Sequence, residues 1–445
     1  MAAPIPDEPS DGIEAALPAR LARGALLAFV FLLPLMQPPF RLLGYEAVAA
    51  DGAYLVLLAL WAAALATGAA RLRWHPAFAL LGLYFAAMAL SAAVSDQPFR
   101  SAVKLSTQVY LLSLPVIVFS LVGSERELRA VFRAWLAASA ALALVAAASI
   151  AAFLFAPANT LLAYSINDFG TLPPGDYPRL RLTFLYAAML CNYLTVSLLL
   201  LLAARSLGWV GRPLFLALLA GILFAAAFSL TPGLGGLFLA AGVWLWLLLA
   251  PRRLWLARFA LAGGIAAALL FVLAMAVTPF LHPTAPFLIA VPGTDLTLAP
   301  AVRLMTWLDA ARNFAADPLL GRGIGANAVE VSIMIPSGAI ARLTDAHNVF
   351  LNIAVQCGLV GLLALLALLG WVVRTVRPFR LGSGGDVLRV ALGFAFLNAF
   401  AYQGLGGSFE DARHLWVLFG LILAAGRVRP LAGPARSPPA TLRPE

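Results

Sequence analysis

Long apolar runs separated by short polar loops follow one another along the whole chain. Each run has about 18 to 25 residues, mostly Leu, Ala, Val and Phe, which lets a helix cross roughly 30 Å of hydrocarbon. Strands of a β-barrel would be shorter and would alternate apolar with polar positions. The pattern predicts an all-α, polytopic integral membrane protein with about twelve spans. The expected spans lie near residues 24–44, 50–70, 76–94, 102–123, 131–157, 182–204, 212–230, 234–250, 259–281, 347–373, 387–407 and 412–426.

Two longer polar loops interrupt this pattern, and a polar tail follows the last span. Residues 158–181 contain a Pro-Pro-Gly turn and are expected to form an irregular loop. Residues 282–346 form the larger loop, which we expect to lie in the periplasm and to contain short amphipathic helices. Its helical stripe is Leu304, Trp307, Leu308, Ala311 and Phe314. The expected organisation is one membrane domain, residues 1–426, and a disordered cytoplasmic tail, residues 427–445, rich in Pro and Arg.

Composition and charge narrow the class of protein. The chain is 62% hydrophobic and 11% charged, with a mean hydropathy of +0.93, which excludes a water-soluble fold. The net charge is +10, but the cations stand singly in short loops, so we expect membrane lipid and no nucleic acid as a partner. With both termini in the cytoplasm, 20 of the 30 Lys and Arg residues fall in cytoplasmic segments. This bias supports that orientation for a multi-pass protein, which we expect to lie in the bacterial inner membrane.

The few ionisable residues on the predicted periplasmic side are the candidates for chemistry. The spans themselves are nearly free of such residues, which argues against an ion-coupled transporter. Asp345 is expected to cap the tenth span and to place His347 in its first turn. A neutral imidazole there can act as a general base. The alternative is an interfacial histidine that only caps the helix or forms a hydrogen bond.

A glycine-rich stretch precedes this histidine. In Asp317–Gly325, three glycines permit a tight backbone path and can expose N–H groups as an anion-binding nest around Arg322. A simple structural turn is the alternative. The spacing does not fit a dinucleotide-binding fingerprint, and no strand is predicted before it.

The order and spacing of several short motifs resemble those of the O-antigen ligase and polymerase superfamily. The motifs are Arg303-Leu-Met-Thr-Trp307, Asp317-Pro-Leu-Leu-Gly-Arg-Gly-Ile-Gly325, Ala346-His-Asn-Val-Phe-Leu351 and Gly358-Leu-Val-Gly-Leu362. The resemblance implies a periplasm-facing, inverting glycosyltransferase that needs no metal or cofactor. It would take a glycan from undecaprenyl pyrophosphate and join it to a hydroxyl of lipid A-core or another glycan acceptor.

The resemblance also implies roles for individual residues. His347 matches the histidine that activates the acceptor, and Arg303 matches the loop arginine that holds the donor pyrophosphate. Asp345 and Asn348 are expected to support His347. The family's second arginine is replaced by Leu234. The cations that could replace it are Arg413, which we favour, Arg181 and Arg179, and each could instead be a snorkelling or salt-bridged interface residue. Arg322 is a further candidate for binding the donor pyrophosphate.

Two other functions remain open at this point. A polysaccharide polymerase of the same superfamily would share the histidine and arginine pattern and would use a second lipid-linked glycan as acceptor. A lipid-linked sugar transporter would need polar or charged residues at mid-membrane, and the spans contain few.

Overall fold

The computed structural model describes residues 11–42, 45–156, 165–168, 178–250, 253–277, 289–290, 297–298, 302–334, 340–376, 384–406 and 412–427. The described residues form thirteen α-helices and four short strand pairs. In chain order, the helices are α1 (Asp11–Leu32), α2 (Ala49–Ala66), α3 (Ala77–Ala93), α4 (Pro98–Leu121), α5 (Glu125–Phe155), α6 (Ala187–Ser206), α7 (Arg212–Ala227), α8 (Gly235–Leu249), α9 (Leu254–Val277), α10 (Val302–Ala316), α11 (Val349–Thr375), α12 (Gly384–Gly406) and α13 (Arg413–Ala425).

A helix lies at each of the twelve predicted span positions, and the predicted amphipathic helix is α10. Six helices in the described part of the chain are long and apolar enough to cross a membrane: α2, α4, α5, α6, α9 and α11. Four others, α3, α7, α8 and α13, are apolar but shorter. The structure therefore agrees with an all-α, multi-pass membrane protein, while twelve crossings stay a prediction.

The predicted first span, residues 24–44, is wrong in its C-terminal half. Helix α1 ends at Leu32, and prolines at positions 34, 38 and 39 follow it. Proline has no backbone N–H and its ring disturbs the preceding turn, so several prolines close together do not continue a helix. The chain turns instead into strand β1 (Phe40–Leu42), which pairs antiparallel with β2 (Tyr45–Ala47).

The two predicted loops contain short strands that the sequence did not indicate. In the first loop, β3 (Ile166–Asp168) pairs antiparallel with β4 (Pro178–Leu180), so the expectation of an irregular segment is wrong for these residues. In the second loop, β5 (Ile289–Ala290) pairs with β6 (Thr297–Leu298), and β7 (Val331–Met334) pairs with β8 (Ile340–Leu343). In the first loop, the structure describes residues 165–168 and 178–181. In the second loop, it describes residues 289–290, 297–298, 302–334 and 340–346.

Helix α6 is the centre of the bundle. It is apolar on every face, and almost all of its residues are buried against α5, α7, α8 and α12. Its Tyr193 ring stacks on Trp135 of α5 with centroids 5.2 Å apart. The indole N–H of Trp135 donates to the Ser197 hydroxyl at 2.9 Å, which satisfies a polar group inside an apolar core.

The two ends of the bundle differ in which helices begin there. Most successive apolar helices are joined by short connections, which make neighbouring helices antiparallel. We infer that α2, α4, α6, α8, α11 and α13 begin at the end where His347 lies, the His347 end. Two contacts between different helices agree with this arrangement. The Ser91 hydroxyl, late in α3, donates to the carbonyl of Gln356 in α11, and Arg413 at the start of α13 contacts Asp51 at the start of α2. The other end of the bundle is called the opposite end below.

Helix α11 is broken at Gly358, where φ is +63° and ψ is −164°. The glycine-rich segment, Asp317–Gly325, fills the break with its backbone. The N–H groups of Leu359 and Val360 donate to the carbonyls of Pro318 and Leu319 at 2.8 and 3.3 Å. In the other direction, the carbonyls of Val355 and Gln356 accept from Arg322 and Gly323. The segment therefore replaces the helical hydrogen bonds that the break removes.

We expect Gly358→Ala to destabilise the protein by more than about 2 kcal/mol. A Cβ at residue 358 would collide with the carbonyl of Leu319, and the backbone conformation there disfavours any side chain. The matched control is Gly370→Ala in the same helix, where nothing lies within 4 Å of the added Cβ. Thermal unfolding in detergent measures both variants, and equal stability of the two would contradict the role of the break.

Candidate functional site

His347 lies in the turn just before α11, and the predicted helix start needs a correction. Asn348, not Asp345, is the N-cap: its side-chain oxygen accepts the N–H groups of Phe350 and Leu351 at 3.0 and 3.2 Å. Helix α11 begins at Val349, so His347 is outside the first helical turn. An Asn at this position satisfies two of the backbone donors that every helix start leaves open.

The backbone of His347 adopts the left-handed conformation, with φ at +49°. This conformation is unusual for a residue with a side chain and costs roughly 1–3 kcal/mol. Asp345 stabilises it, because its Oδ1 atom accepts the backbone N–H of His347. The same oxygen is 3.8 Å from His347 Nδ1, and the imidazole side chain is 44% exposed. The strained turn thus presents an accessible imidazole with a carboxylate beside one ring nitrogen.

Asn352 holds this turn from the first full turn of α11. Its side-chain N–H donates to Asp345 Oδ2 at 3.0 Å, and its side-chain oxygen accepts the backbone N–H of Ala346 at 3.0 Å. One carboxylate oxygen of Asp345 therefore accepts the backbone N–H of His347, and the other accepts the side-chain N–H of Asn352. The arrangement fixes the carboxylate, which in turn fixes the backbone of the histidine.

Helix α10 is joined to the same turn. The hydroxyl of Thr306 donates to the carbonyl of Ala346 at 3.3 Å. Arg303 stands in the first turn of α10, three residues before Thr306, and residues at this spacing lie on one side of a helix. The side chain of Arg303 lies outside the described atoms. The two residues that the resemblance singles out, His347 and Arg303, are thus on elements in direct contact.

Asn352 and Thr306 were missed by the sequence analysis, although a signal for Asn352 existed. Asn348, Asn352 and Gln356 stand four residues apart at the start of an otherwise apolar span, which puts three amides on one side of the helix. Gln356 donates to the carbonyl of Ala326 at 2.8 Å. This amide stripe, Asn348, Asn352 and Gln356, holds the end of the large loop.

Of the two alternatives for the glycine-rich segment, an anion-binding nest or a structural turn, the hydrogen bonds favour the structural turn. The N–H of Gly321 donates to the carbonyl of Asp317, that of Arg322 to Val355 and that of Gly323 to Gln356, so these three groups are not available to an anion. The break in α11 exposes carbonyls that require these donors. Only the exposed side chain of Arg322 remains as a candidate for phosphate binding.

Arg413, the substitute favoured from the sequence, is held in an ion pair. Its Nη2 and Nε atoms are 2.8 and 2.9 Å from Oδ1 of Asp51, and Nε is 3.2 Å from the hydroxyl of Tyr110. The side chains of Arg413 and Asp51 are only 13% and 25% exposed. A guanidinium whose charge is already compensated attracts a pyrophosphate less strongly. This geometry does not favour Arg413 as the second phosphate ligand.

Arg179 lies beside the segment from which the family arginine is missing. Its Nε atom donates to the carbonyl of Ser229 at 3.0 Å, and the adjacent N–H of Leu180 donates to Phe228 at 2.9 Å. Leu234 is the last residue of a short 3₁₀ turn that leads into α8. Strand β4 therefore brings an arginine to this segment from a different part of the chain. The nearby Arg181 is anchored through its backbone N–H to Ser165 at 2.9 Å.

The fold and these residues define a multi-pass helical membrane protein with a polar site at one end of the bundle. A family model described as O-antigen ligase matches residues 214–366, which include Arg303, the glycine-rich segment and His347. The match confirms the resemblance to the O-antigen ligase superfamily and supports a membrane enzyme of its ligase and polymerase families. No curated protein matches the chain significantly.

The contact between Arg413 and Asp51 leads to a stability prediction. We expect Arg413→Gln and Asp51→Asn each to lower the free energy of unfolding, because each leaves a partly buried charge without its partner. The two effects should not add: a double-mutant cycle should give a coupling of about 1–3 kcal/mol. Additive effects in thermal or denaturant unfolding would show that the pair contributes nothing to the fold.

Proposed function

We propose that this chain is an O-antigen ligase-type glycosyltransferase that moves a glycan from undecaprenyl pyrophosphate to a hydroxyl of lipid A-core on the periplasmic side of the inner membrane. The observation that carries the proposal is the half-exposed imidazole of His347 beside Asp345, on a turn that α10 contacts through Thr306. The family match covers all of these residues.

In this mechanism, His347 is the general base. The acceptor hydroxyl attacks the anomeric carbon of the donor glycan from the side opposite the pyrophosphate, which inverts the configuration. The new C–O bond forms as the bond to the pyrophosphate oxygen breaks, and the hydroxyl proton passes to the imidazole. Asp345, 3.8 Å from Nδ1, is placed to stabilise the imidazolium that results.

The leaving pyrophosphate requires positive charge, and guanidinium groups supply it with paired hydrogen bonds. Arg303 is the first candidate for this role, because α10 contacts the turn of His347 through Thr306. Arg179 is the second candidate, because its guanidinium contacts the carbonyl of Ser229 in the segment from which the family arginine is missing. Arg181 and Arg322 remain further candidates, and Asn348 supports the site by starting α11.

Reconstitution tests the proposal directly. Purified protein is mixed with undecaprenyl-pyrophosphate glycan and with lipopolysaccharide that lacks O-antigen, without nucleotide. A ladder of glycan on lipid A-core supports the ligase. Growth of the glycan on undecaprenyl pyrophosphate would instead identify a polymerase of the same superfamily, and no transfer to either acceptor would contradict the proposal.

His347→Asn should reduce transfer at least about a hundredfold, because it removes the general base. Asparagine tolerates the left-handed backbone at residue 347 better than other side chains, so the variant should insert and fold normally. His347→Ala should show the same loss. Thr344→Ala, at an exposed position three residues earlier, is the control and should retain full activity. Full activity of His347→Asn would exclude His347 as the base.

Arg179→Gln and Arg303→Gln should each lower kcat/KM for the donor by more than about tenfold, the effect of losing one charge-assisted hydrogen bond. Arg312→Gln is the control, since Arg312 is an exposed arginine near the end of α10. Steady-state rates at varied donor concentration make the comparison. Equal rates for Arg179→Gln and Arg312→Gln would show that Arg179 does not bind the pyrophosphate.

A further inference from the structure

A polar cavity lies at the opposite end of the bundle from His347. Its volume is about 370 Å³, at the lower end of the range of about 300–1,000 Å³ that is typical of small-molecule sites. The loop before α3, the end of α11, the start of α12 and the end of α13 enclose it. Its lining residues are His75, Trp371, Arg374, Thr375, Arg389, Ile422, Leu423 and Gly426.

The lining has a charged part and an apolar part. Arg374 and Arg389 are both exposed and come from different helices, and none of the eight lining residues is acidic. Within the described part of the chain, neither guanidinium has a hydrogen-bond or ion-pair partner. The ring of Trp371 and the side chains of Ile422 and Leu423 form the apolar part. Two guanidinium groups over an apolar surface suit an anionic head with an apolar body attached.

His75 supplies a neutral hydrogen-bond donor. Its Nδ1 atom accepts the backbone N–H of Ala77 at 3.1 Å, which leaves Nε2 as the protonated nitrogen. Burial lowers the pKa of His75, so the ring is neutral near pH 7. Its edge packs against Trp371 and Phe119, with centroids 5.7 and 5.4 Å apart. The imidazole is therefore held in one orientation at the cavity wall.

The surroundings of the cavity indicate contact with lipid. Leu72 and Trp74, in the loop that carries His75, are 65% and 74% exposed. Apolar and tryptophan side chains at the end of a span are typical of the zone where lipid headgroups lie. In a bilayer, this arrangement would put the opening of the cavity at the level of the lipid headgroups of the adjacent leaflet.

We propose that this cavity binds the phosphate of an anionic glycerophospholipid, held by Arg374 and Arg389 with the glycerol region on Trp371. It is separate from the glycosyl-transfer site, because α11 extends for 27 residues from the His347 end to Thr375. The lipid would bridge the ends of α11 and α13 with the start of α12.

Titration of the purified full chain tests this site. Native mass spectrometry counts the lipids bound when phosphatidylglycerol, phosphatidylcholine with the same acyl chains, or inorganic phosphate is added. We expect one phosphatidylglycerol to bind preferentially, and Arg374→Gln/Arg389→Gln to weaken that binding at least about tenfold. Arg71→Gln/Arg73→Gln, in the same loop as His75 but outside the cavity, is the matched control and should bind like the unchanged protein.

Three results would overturn the proposal. One is phosphatidylglycerol binding that survives Arg374→Gln/Arg389→Gln. Another is equal binding of phosphatidylcholine. The third is inorganic phosphate that displaces phosphatidylglycerol and binds as tightly, which would identify free phosphate as the ligand. If the double Gln variant does not fold, Arg374→Lys/Arg389→Lys keeps the charges but loses the paired hydrogen bonds, and weaker binding is still expected.

Discussion

The break in α11 at Gly358 is the constraint on which the site at the His347 end depends. A break inside a span leaves backbone carbonyls and N–H groups without partners, and such groups cost several kcal/mol each in hydrocarbon. The glycine-rich segment satisfies them with its own backbone at Pro318, Leu319, Arg322 and Gly323. The helix thus needs this segment, and the segment is fixed in position by the helix. The large loop is anchored to the bundle at that point.

The second anchor of the loop is the amide stripe on the N-terminal half of α11. Asn348 starts the helix, Asn352 holds Asp345 and the backbone of Ala346, and Gln356 holds Ala326. The role of general base that we propose for His347 requires a side chain that is accessible and a backbone that is held in one geometry. These contacts meet both needs, because the backbone of the turn is fixed while the side chain of His347 stays 44% exposed. The strain at its φ of +49° is sustained by its neighbours.

The arginines of this chain differ in their surroundings. Arg413 is partly buried and paired with Asp51, so its charge ties α13 to α2. Arg179 contacts the backbone carbonyl of Ser229 and so lies beside the segment Ser229–Leu234. Arg374 and Arg389 face a cavity at the opposite end. Residue type alone does not separate these roles. The arginines differ in whether an acidic side chain lies beside them, in how far they are buried and in the end of the bundle at which they lie.

The sequence by itself determined where the helices lie, since apolar length and period are local properties, and it identified α10 from its stripe. Motif spacing also singled out His347 and Arg303 as candidates, and residues 214–366 match the O-antigen ligase family model. Tertiary structure decided what depends on partners distant in the chain. It placed Arg179 beside Ser229. It also assigned the donors of the glycine-rich segment to α11 and Arg413 to Asp51. Hydrogen bonds and ion pairs between distant residues leave little trace in local pattern, so only the fold could reveal them.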